Sequence, residues 1–257
     1  MLASIDGTIG PAETACIPVT DDGLLRGDGA FEVMRLYQGR PFALDAHFTR
    51  LQRTCDGLRL EADLDRTRAE AEALLEQAGP VEGILRIVLT RGGRRIAIVE
   101  PLPRHAPLAR VKTITYAPDR ILDGLKTLSY AGNMLARRLA TEQGFDEALL
   151  VTPHGRVLEG PTWSLFWAER GQLKTPPLED RILASITREY LLQATDAVEE
   201  PCTLDDLRRA DEAFIASTIR EVLPIAAIDD IALPQTPGAV TLAAREALQQ
   251  AIARDLR

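Results

Sequence analysis

The reactive side chains of this sequence are most easily sought among its lysines, because there are only three. They stand at Lys112, Lys126 and Lys174, which leaves 30 − 3 = 27 arginines among the basic residues. Lys126 lies in the segment 124–130, between apolar neighbours and just before a predicted helix. An amine in a partly apolar pocket loses the stabilisation of its charge, so its neutral form can attack a carbonyl. Lys126 is therefore the candidate nucleophile; for the residue taken alone, a solvated lysine is the alternative.

A carboxylate follows 33 residues later. Glu159 ends a predicted strand in the segment 155–160, directly after a turn at 153–155. A carboxylate in that position can hold the protonated ring nitrogen of a bound cofactor, which lets the ring accept electrons. A surface glutamate is the alternative interpretation of the isolated residue.

Three further segments have the composition of an anion site. Residues 185–188, Ser-Ile-Thr-Arg, open a predicted helix, where free backbone N–H groups and the helix dipole favour an anion. Ser217 and Thr218 end a predicted strand and offer hydroxyl groups. Arg50, on the first long helix, can add a planar pair of charged donors. Together these residues predict a phosphate site.

Composition limits the class of protein. The 257 residues carry a formal charge of −8, with 46% apolar and 26% charged residues, which is typical of a globular protein and argues against a nucleic-acid partner. The three cysteines and three histidines are scattered, so no disulfide framework or metal site is predicted. No segment has the length and apolarity of a membrane span. We expect a cytoplasmic protein without metal and without membrane association.

The pattern of elements indicates an α+β fold. Apolar periodicity predicts helices over 48–58, 65–77, 128–139 and 185–194. Strands are predicted over 30–37, 83–90, 95–99, 111–116 and 212–216, with hairpins at 148–158 and 165–174. A last helix is expected to open at Thr236-Pro237 and to run to the C-terminus. We place an N-terminal domain at 1–116, an interdomain loop at 117–124 and a C-terminal domain at 125–257.

These motifs, taken in order, identify a family. The chain resembles the class IV aminotransferases, or fold-type IV enzymes that depend on pyridoxal 5′-phosphate (PLP), over nearly its whole length. The segments that carry the resemblance are 26–32 (RGDGAFE), 47–51 (HFTRL), 126–133, 144–147 (GFDE), 155–160 (GRVLEG), 175–177, 185–188 (SITR) and 217–224 (STIREVLP). The resemblance implies two α/β-type domains joined by a short loop, and a homodimer with its active site at the subunit interface.

The resemblance also implies roles for individual residues. Lys126 is the Schiff-base lysine and proton shuttle, and Glu159 is the partner of the pyridine nitrogen. The remaining PLP contacts fall to Arg50, Leu183, Ile186, Thr187, Ser217 and Thr218. Leu183 is expected to support the ring face.

This sequence departs from the family pattern at two places. The usual asparagine after the E-G segment is Ser164, preceded by an unexpected Trp163, and the glycine before I-T-R is Ser185. Neither change removes a catalytic group, but both fall on segments that the resemblance assigns to the cofactor pocket.

The choice among family members depends on how a substrate carboxylate is held, because a buried carboxylate needs a cationic partner. Arg26 stands where many relatives have an aromatic residue, at a position that the family's neighbouring subunit contributes to the substrate pocket. Arg86 alternates with apolar residues on a strand, and Arg91 matches a T-R-G segment of D-amino acid transaminases. With Phe31, these arginines are the predicted substrate contacts. The alternative interpretations are a surface arginine for Arg26, a salt bridge across a dimer for Arg86 and a turn residue for Arg91.

The resemblance therefore favours a D-amino acid transaminase that moves an amino group to a 2-keto acid. A 4-amino-4-deoxychorismate lyase, which releases pyruvate and 4-aminobenzoate, remains an alternative because its substrate also carries carboxylates. A branched-chain aminotransferase fits an arginine-lined entrance less well. The alternative that is not an enzyme is a protein that binds PLP without catalytic turnover.

Overall fold

The computed structural model describes the whole chain, residues 1–257. Seven α-helices and sixteen β-strands form two compact units. The first unit comprises residues 1–104, 125–130 and 255–257, and the second comprises residues 105–124 and 131–254. The mixture of sheets and helices confirms the predicted α+β class.

The first unit is an antiparallel sheet with helices on one face. Its strands are β1 (Leu2–Ile5), β2 (Thr8–Pro11), β3 (Gly29–Tyr37), β4 (Arg40–Pro41), β5 (Gly83–Thr90) and β6 (Arg95–Pro101), and its helices are α1 (Asp22–Arg26), α2 (Leu44–Leu58) and α3 (Leu64–Ala78). The strand order is β2-β1-β6-β5-β3-β4.

Alternation along the central strands builds the core of this unit. Successive side chains of a strand point to opposite faces, so Met34 on β3 and Leu85 and Ile87 on β5 share one face. They are fully buried together with Leu51 of α2 and Leu74 of α3. Burial of each such side chain stabilises the fold by about 1.5–3 kcal/mol. This packing fixes α2 against β3, which decides where the polar residues of both elements lie.

The second unit holds a ten-stranded mixed sheet. Its strands are β7 (Ala109–Thr115), β8 (Glu147–Val151), β9 (Arg156–Val157), β10 (Ser164–Glu169), β11 (Gln172–Thr175), β12 (Val198–Glu199), β13 (Cys202–Thr203), β14 (Glu212–Ser217), β15 (Glu221–Ile228) and β16 (Ile231–Ala232). Its helices are α4 (Ala131–Glu142), α5 (Ile186–Ala194), α6 (Leu204–Arg209) and α7 (Ala239–Asp255). The order is β12-β11-β10-β14-β15-β7-β8-β9-β13, with β16 paired to β15.

The central strands of the second unit are apolar on both faces, because both faces are buried. Every residue of β8 and β14 is buried, and Phe166 on β10 stacks on Phe214 of β14 at 5.1 Å between ring centroids. Both predicted hairpins are present: β9 returns along β8, and β10 pairs antiparallel with β11.

Two boundaries differ from those expected. The predicted division at 117–124 places β7 in the N-terminal domain, whereas its contacts place it in the second unit, because β7 pairs in parallel with both β8 and β15. Residues 125–130 belong to the first unit instead. The last helix begins at Ala239 and not at Pro237, so the proline precedes the helix and does not occupy its first turn. No helix has both the length and the apolarity needed to cross a membrane.

Candidate active site

Within the first unit, the segment that carries Lys126 runs beside the start of β3. The backbone N–H of Phe31 donates to the carbonyl of Lys126 at 3.1 Å, and the N–H of Leu128 donates to the carbonyl of Gly29 at 2.9 Å. The N–H of Lys126 donates to Oγ1 of Thr54 on α2 at 3.2 Å. Strand and helix thus both fix the backbone from which the lysine side chain projects.

The amine of Lys126 lies against two aromatic rings. Nζ is 4.4 Å from the ring centroid of Phe31 and 5.7 Å from that of Tyr130, and the two rings meet edge to face at 5.3 Å. The faces of aromatic rings are apolar and attract an ammonium group, so both rings are suited to pack against this amine. Phe31 was predicted from the sequence as a substrate contact, whereas Tyr130 was not; only the folding of 125–130 onto β3 reveals it.

One face of α2 is polar and buried. His47, Arg50 and Thr54 are spaced three and four residues apart, so they share a face of the helix, and all three are buried. Thr54 binds the Lys126 backbone, and Arg50 donates from Nε and from one terminal nitrogen to the two carboxylate oxygens of Glu32, each at 2.7 Å. His47 Nδ1 lies 2.7 Å from Glu32 Oε2.

The electrostatics of this cluster are settled by burial and pairing. Burial alone would raise the pKa of Glu32, but the charge and hydrogen bonds of Arg50, followed by those of His47, lower it to about 2. Burial lowers the pKa of His47 from its ordinary value, despite its bond to Glu32. Glu32 is therefore ionised and His47 neutral at neutral pH. From the sequence, Glu32 and His47 were identified only as members of the motifs at 26–32 and 47–51, because no local pattern pairs either residue with Arg50.

The three predicted substrate arginines differ in how firmly they are held. Arg26, at the end of α1, pairs with Asp22 one turn earlier, and its side chain is 69% exposed. Arg86 donates to Glu100 of β6 at 2.8 Å. Arg91 is the most constrained, because it bonds Asp28 and also donates to the carbonyls of residues 58 and 59 at the end of α2. An exposed ion pair contributes little to stability. The side chain of Arg26 can therefore leave Asp22 and turn toward a ligand at a lower free-energy cost than those of Arg86 and Arg91.

The second unit fixes Glu159 just beyond β9. The backbone N–H of Leu183 donates to its Oε1 at 2.8 Å, and its carbonyl accepts from the N–H of Leu150 on β8 at 2.9 Å. Burial, with the carboxylates of Glu159 and Asp119 adding to it, raises the pKa of Tyr116. Leu183 was predicted to support a ring face; the contact seen in this structure is its main-chain bond to Glu159.

The second unit also presents the predicted anion donors. Ser185 caps the nine-residue helix α5, and its Oγ accepts from the N–H of Arg188, while Ile186 and Thr187 in the first turn are buried. The first N–H groups of a helix have no partner within it. Ser217 ends β14, and its Oγ accepts from the N–H of Arg220 at 3.1 Å, with Thr218 next in the chain.

The structure explains one of the two departures from the family pattern at the start of β10, Trp163, but not the other, Ser164. Trp163 Nε1 donates to Oε2 of the buried Glu147 at 3.3 Å, and Glu147 also pairs with Arg137 and Arg220. The indole lies directly on Gly160, where an added Cβ would come within 1.9 Å of a ring carbon. Trp163 is thus a structural residue that requires glycine at 160. Ser164 is buried and its Oγ has no partner; nothing in the structure explains that choice.

The chain belongs to the class IV aminotransferases. The sequence pattern of that family, described as amino-transferase class IV, matches residues 29–228. A solved aminotransferase of Mycobacterium tuberculosis in its PLP-bound form, described as hypothetical, superposes with a TM-score of 0.91 at 25% identity and covers 99% of this chain and 100% of its own. The fold is therefore fold-type IV, and the enzyme depends on PLP.

Two relatives show the range of activities nearby. A protein of Methanocaldococcus jannaschii, named provisionally as a branched-chain-amino-acid aminotransferase, is 33% identical over 88% of this chain and 87% of its own length. A Mycobacterium tuberculosis protein named bifunctional aminodeoxychorismate lyase / D-amino acid transaminase is 30% identical over 99% of this chain and 100% of its own. The substrate class of the present chain has to be argued from its site.

The residues present fit PLP. The first unit supplies a lysine amine set against aromatic rings and a buried arginine paired with Glu32. The second supplies a carboxylate held by a backbone N–H and a capped helix N-terminus with a buried threonine. An amine for an aldehyde, an acid for a pyridine nitrogen and N–H donors for a phosphate are the three kinds of group that this cofactor requires.

Proposed function

We propose that this protein is a D-amino acid transaminase that moves an amino group between a D-amino acid and a 2-keto acid. The observation that carries the proposal is Arg26, a mostly exposed guanidinium whose ion-pair partner in the structure lies on its own short helix. When it turns away from Asp22, this guanidinium can bind a substrate carboxylate through two parallel hydrogen bonds. The bifunctional relative supports the same assignment.

The proposed mechanism assigns each residue one task. When bound, PLP supplies an electron sink for the charge that develops at the substrate α-carbon. The amine of Lys126 would hold the cofactor, and Nζ would remove the α-proton of the substrate and return it. Glu159, held by the N–H of Leu183, keeps the pyridine nitrogen protonated. The N–H groups of Ile186 and Thr187 bind the phosphate, as do Arg50, Ser217 and Thr218.

The substrate side uses the remaining predicted residues. Phe31 and Tyr130 form an aromatic wall against Nζ of Lys126. Arg26 binds the carboxylate, whereas Arg86 and Arg91 are proposed to contribute positive potential while they keep their structural partners.

A homodimer forms part of this proposal. On the face of the first sheet that points away from its core, Val33 and Phe31 of β3 lie opposite Arg86 and Val88 of β5. Half-buried apolar side chains on this face, including Ile98 of β6, are suited to a second copy of the chain. Sedimentation of the protein at micromolar concentration tests this: a dimer that Ile98→Arg converts to a monomer supports it, and a wild-type monomer contradicts it.

The catalytic proposal is tested by an absorption titration of the PLP-loaded protein without any keto acid. We expect D-alanine to convert the visible cofactor band to the pyridoxamine form, and L-alanine at the same concentration to leave it unchanged. Conversion by L-leucine or L-valine instead would show a branched-chain enzyme. A band that ignores all of these amino acids would contradict the transaminase assignment.

The second candidate function is 4-amino-4-deoxychorismate lyase, favoured by the bifunctional name of the 30% identical relative. The same Lys126 would then assist elimination of pyruvate and leave 4-aminobenzoate. Pyruvate release from 4-amino-4-deoxychorismate, measured with a coupled dehydrogenase, separates this activity from transamination. Release without any D-alanine conversion would make the lyase the sole function.

A further inference from the structure

Glu32 occupies a position that the pattern of β3 reserves for apolar side chains. It lies in the same row as Ala30, Met34 and Leu36, on the strand face that packs against α2, and it is fully buried. A buried ion pair is weak evidence for stability, because well-packed apolar residues often serve as well or better. The carboxylate therefore calls for an explanation other than packing.

Both oxygens of that carboxylate are used. Oε1 accepts from Nε of Arg50, and Oε2 accepts from a terminal nitrogen of Arg50 and lies 2.7 Å from Nδ1 of His47. Two parallel bonds fix the whole plane of a guanidinium, since its donors form a rigid fork. The direction of the remaining edge of Arg50 is thereby set by Glu32.

His47 completes the arrangement as a neutral member. Glu32 is ionised, so Nδ1 of His47 carries the proton and donates, and the opposite ring atom, Nε2, is buried without a partner. The cluster thus contains one cation, one anion and one neutral ring. Since the charges of Arg50 and Glu32 offset each other, Arg50 can contribute to anion binding through the direction of its hydrogen bonds more than through net charge.

We propose that Glu32 is a positioning residue that orients the guanidinium of Arg50 toward the phosphate of the cofactor, with His47 holding the carboxylate in place. The inference rests on the proposed phosphate role of Arg50 and extends it to two residues that do not touch the cofactor.

The test compares two ligands of the apo-protein, PLP and pyridoxal, which lacks the phosphate. We expect Glu32→Gln to weaken PLP binding about tenfold to a hundredfold, because the loss of a directed charge-assisted hydrogen bond outweighs the net positive charge that the variant gains, and to leave pyridoxal binding unchanged. Glu70→Gln is the matched control, because Glu70 accepts a similar fork from Arg95 elsewhere in the same unit. That control should leave the ratio of the two affinities as in the wild type.

The outcomes separate this inference from the assignment on which it rests. If Arg50→Gln keeps the wild-type preference for PLP over pyridoxal, the phosphate role of Arg50 fails. If Arg50→Gln loses that preference but Glu32→Gln keeps it, or weakens both ligands equally, the positioning role fails. In the Arg50→Gln background, Glu32→Gln should cause no further loss, and an additional loss would contradict the inference. Glu32→Asp, which keeps the charge but shortens the reach, carries the comparison if Glu32→Gln does not fold.

Discussion

The carboxylate of Glu159 is held by the backbone N–H of Leu183, with 2.8 Å between that nitrogen and Oε1. A glutamine retains an oxygen for this bond but loses the charge that would keep a pyridine nitrogen protonated. We expect Glu159→Gln to fold normally and to slow the half-reaction with D-alanine about tenfold to a hundredfold. Stopped-flow absorption measures the rate, with Glu179→Gln on an exposed turn as control. An unchanged rate would remove Glu159 from the mechanism.

Only one of the three lysines should carry the cofactor. Lys112 pairs with Asp229, and Lys174 pairs with Glu169 and Glu200, whereas Lys126 lies against two aromatic rings. Borohydride reduction of the PLP-loaded protein should place the added mass on the peptide that contains Lys126. Lys126→Ala should abolish it, while Lys112→Ala and Lys174→Ala should not. Labelling of the Lys126→Ala protein at another lysine would refute the assignment.

The effect on stability of a substitution at Gly160 should depend on which residue stands at 163. Trp163→Phe removes the indole donor to the buried Glu147 and should lower the free energy of unfolding by about 1.5–3 kcal/mol. Gly160→Ala places a methyl group into the indole and should cost more in the wild type than in a Trp163→Ala background. Urea unfolding of the wild type, Gly160→Ala, Trp163→Ala and the double variant measures the coupling. Additive effects would show that the two residues act separately.

The buried His47 should make the protein sensitive to mild acid. Because its pKa is lowered in the fold from 6.5, the unfolded chain binds a proton below that pH that the folded protein does not bind. Stability should therefore fall as the pH drops through 6.5, and fall further below 4.5, where unfolded Glu32 takes up a proton while folded Glu32, with a pKa of about 2, stays ionised. His47→Asn should flatten the first decline in urea unfolding curves from pH 8 to 5. The exposed His154→Asn is the control.

Replacement of Arg91 should mainly lower stability, whereas replacement of Arg26 should mainly weaken substrate binding. Arg91 bonds two helix-end carbonyls and Asp28, so Arg91→Ala should lower the free energy of unfolding by about 2 kcal/mol. Arg26→Ala removes only an exposed pair and should change stability by less than about 0.5 kcal/mol, while it raises the KM for D-alanine. Chemical unfolding and steady-state kinetics measure the two effects. An unchanged KM in Arg26→Ala would move the carboxylate site elsewhere.

Local pattern accounts for the elements that were predicted. The strand at 83–90 and the helix that Ser185 caps were found as expected, because alternation, periodicity and capping act over a few residues. The start of α7 was placed too early, since a proline fits both a first helical turn and the turn before it. The assignment of β7 to the N-terminal domain failed because parallel pairing with β8 and β15 leaves no mark in the local sequence.

The sequence by itself determined the class of this enzyme and its cofactor through the resemblance of its ordered motifs to those of the class IV aminotransferases, whose chemistry needs an amine, an acid and an anion site. Only the tertiary structure showed that Glu32 accepts hydrogen bonds from Arg50, that Tyr130 lies beside Lys126 and that the indole of Trp163 packs against Gly160. Each of these relations joins residues through packing of separate elements or through the shape of a turn. Such contacts follow from which faces become buried together, and a one-dimensional pattern does not contain that information.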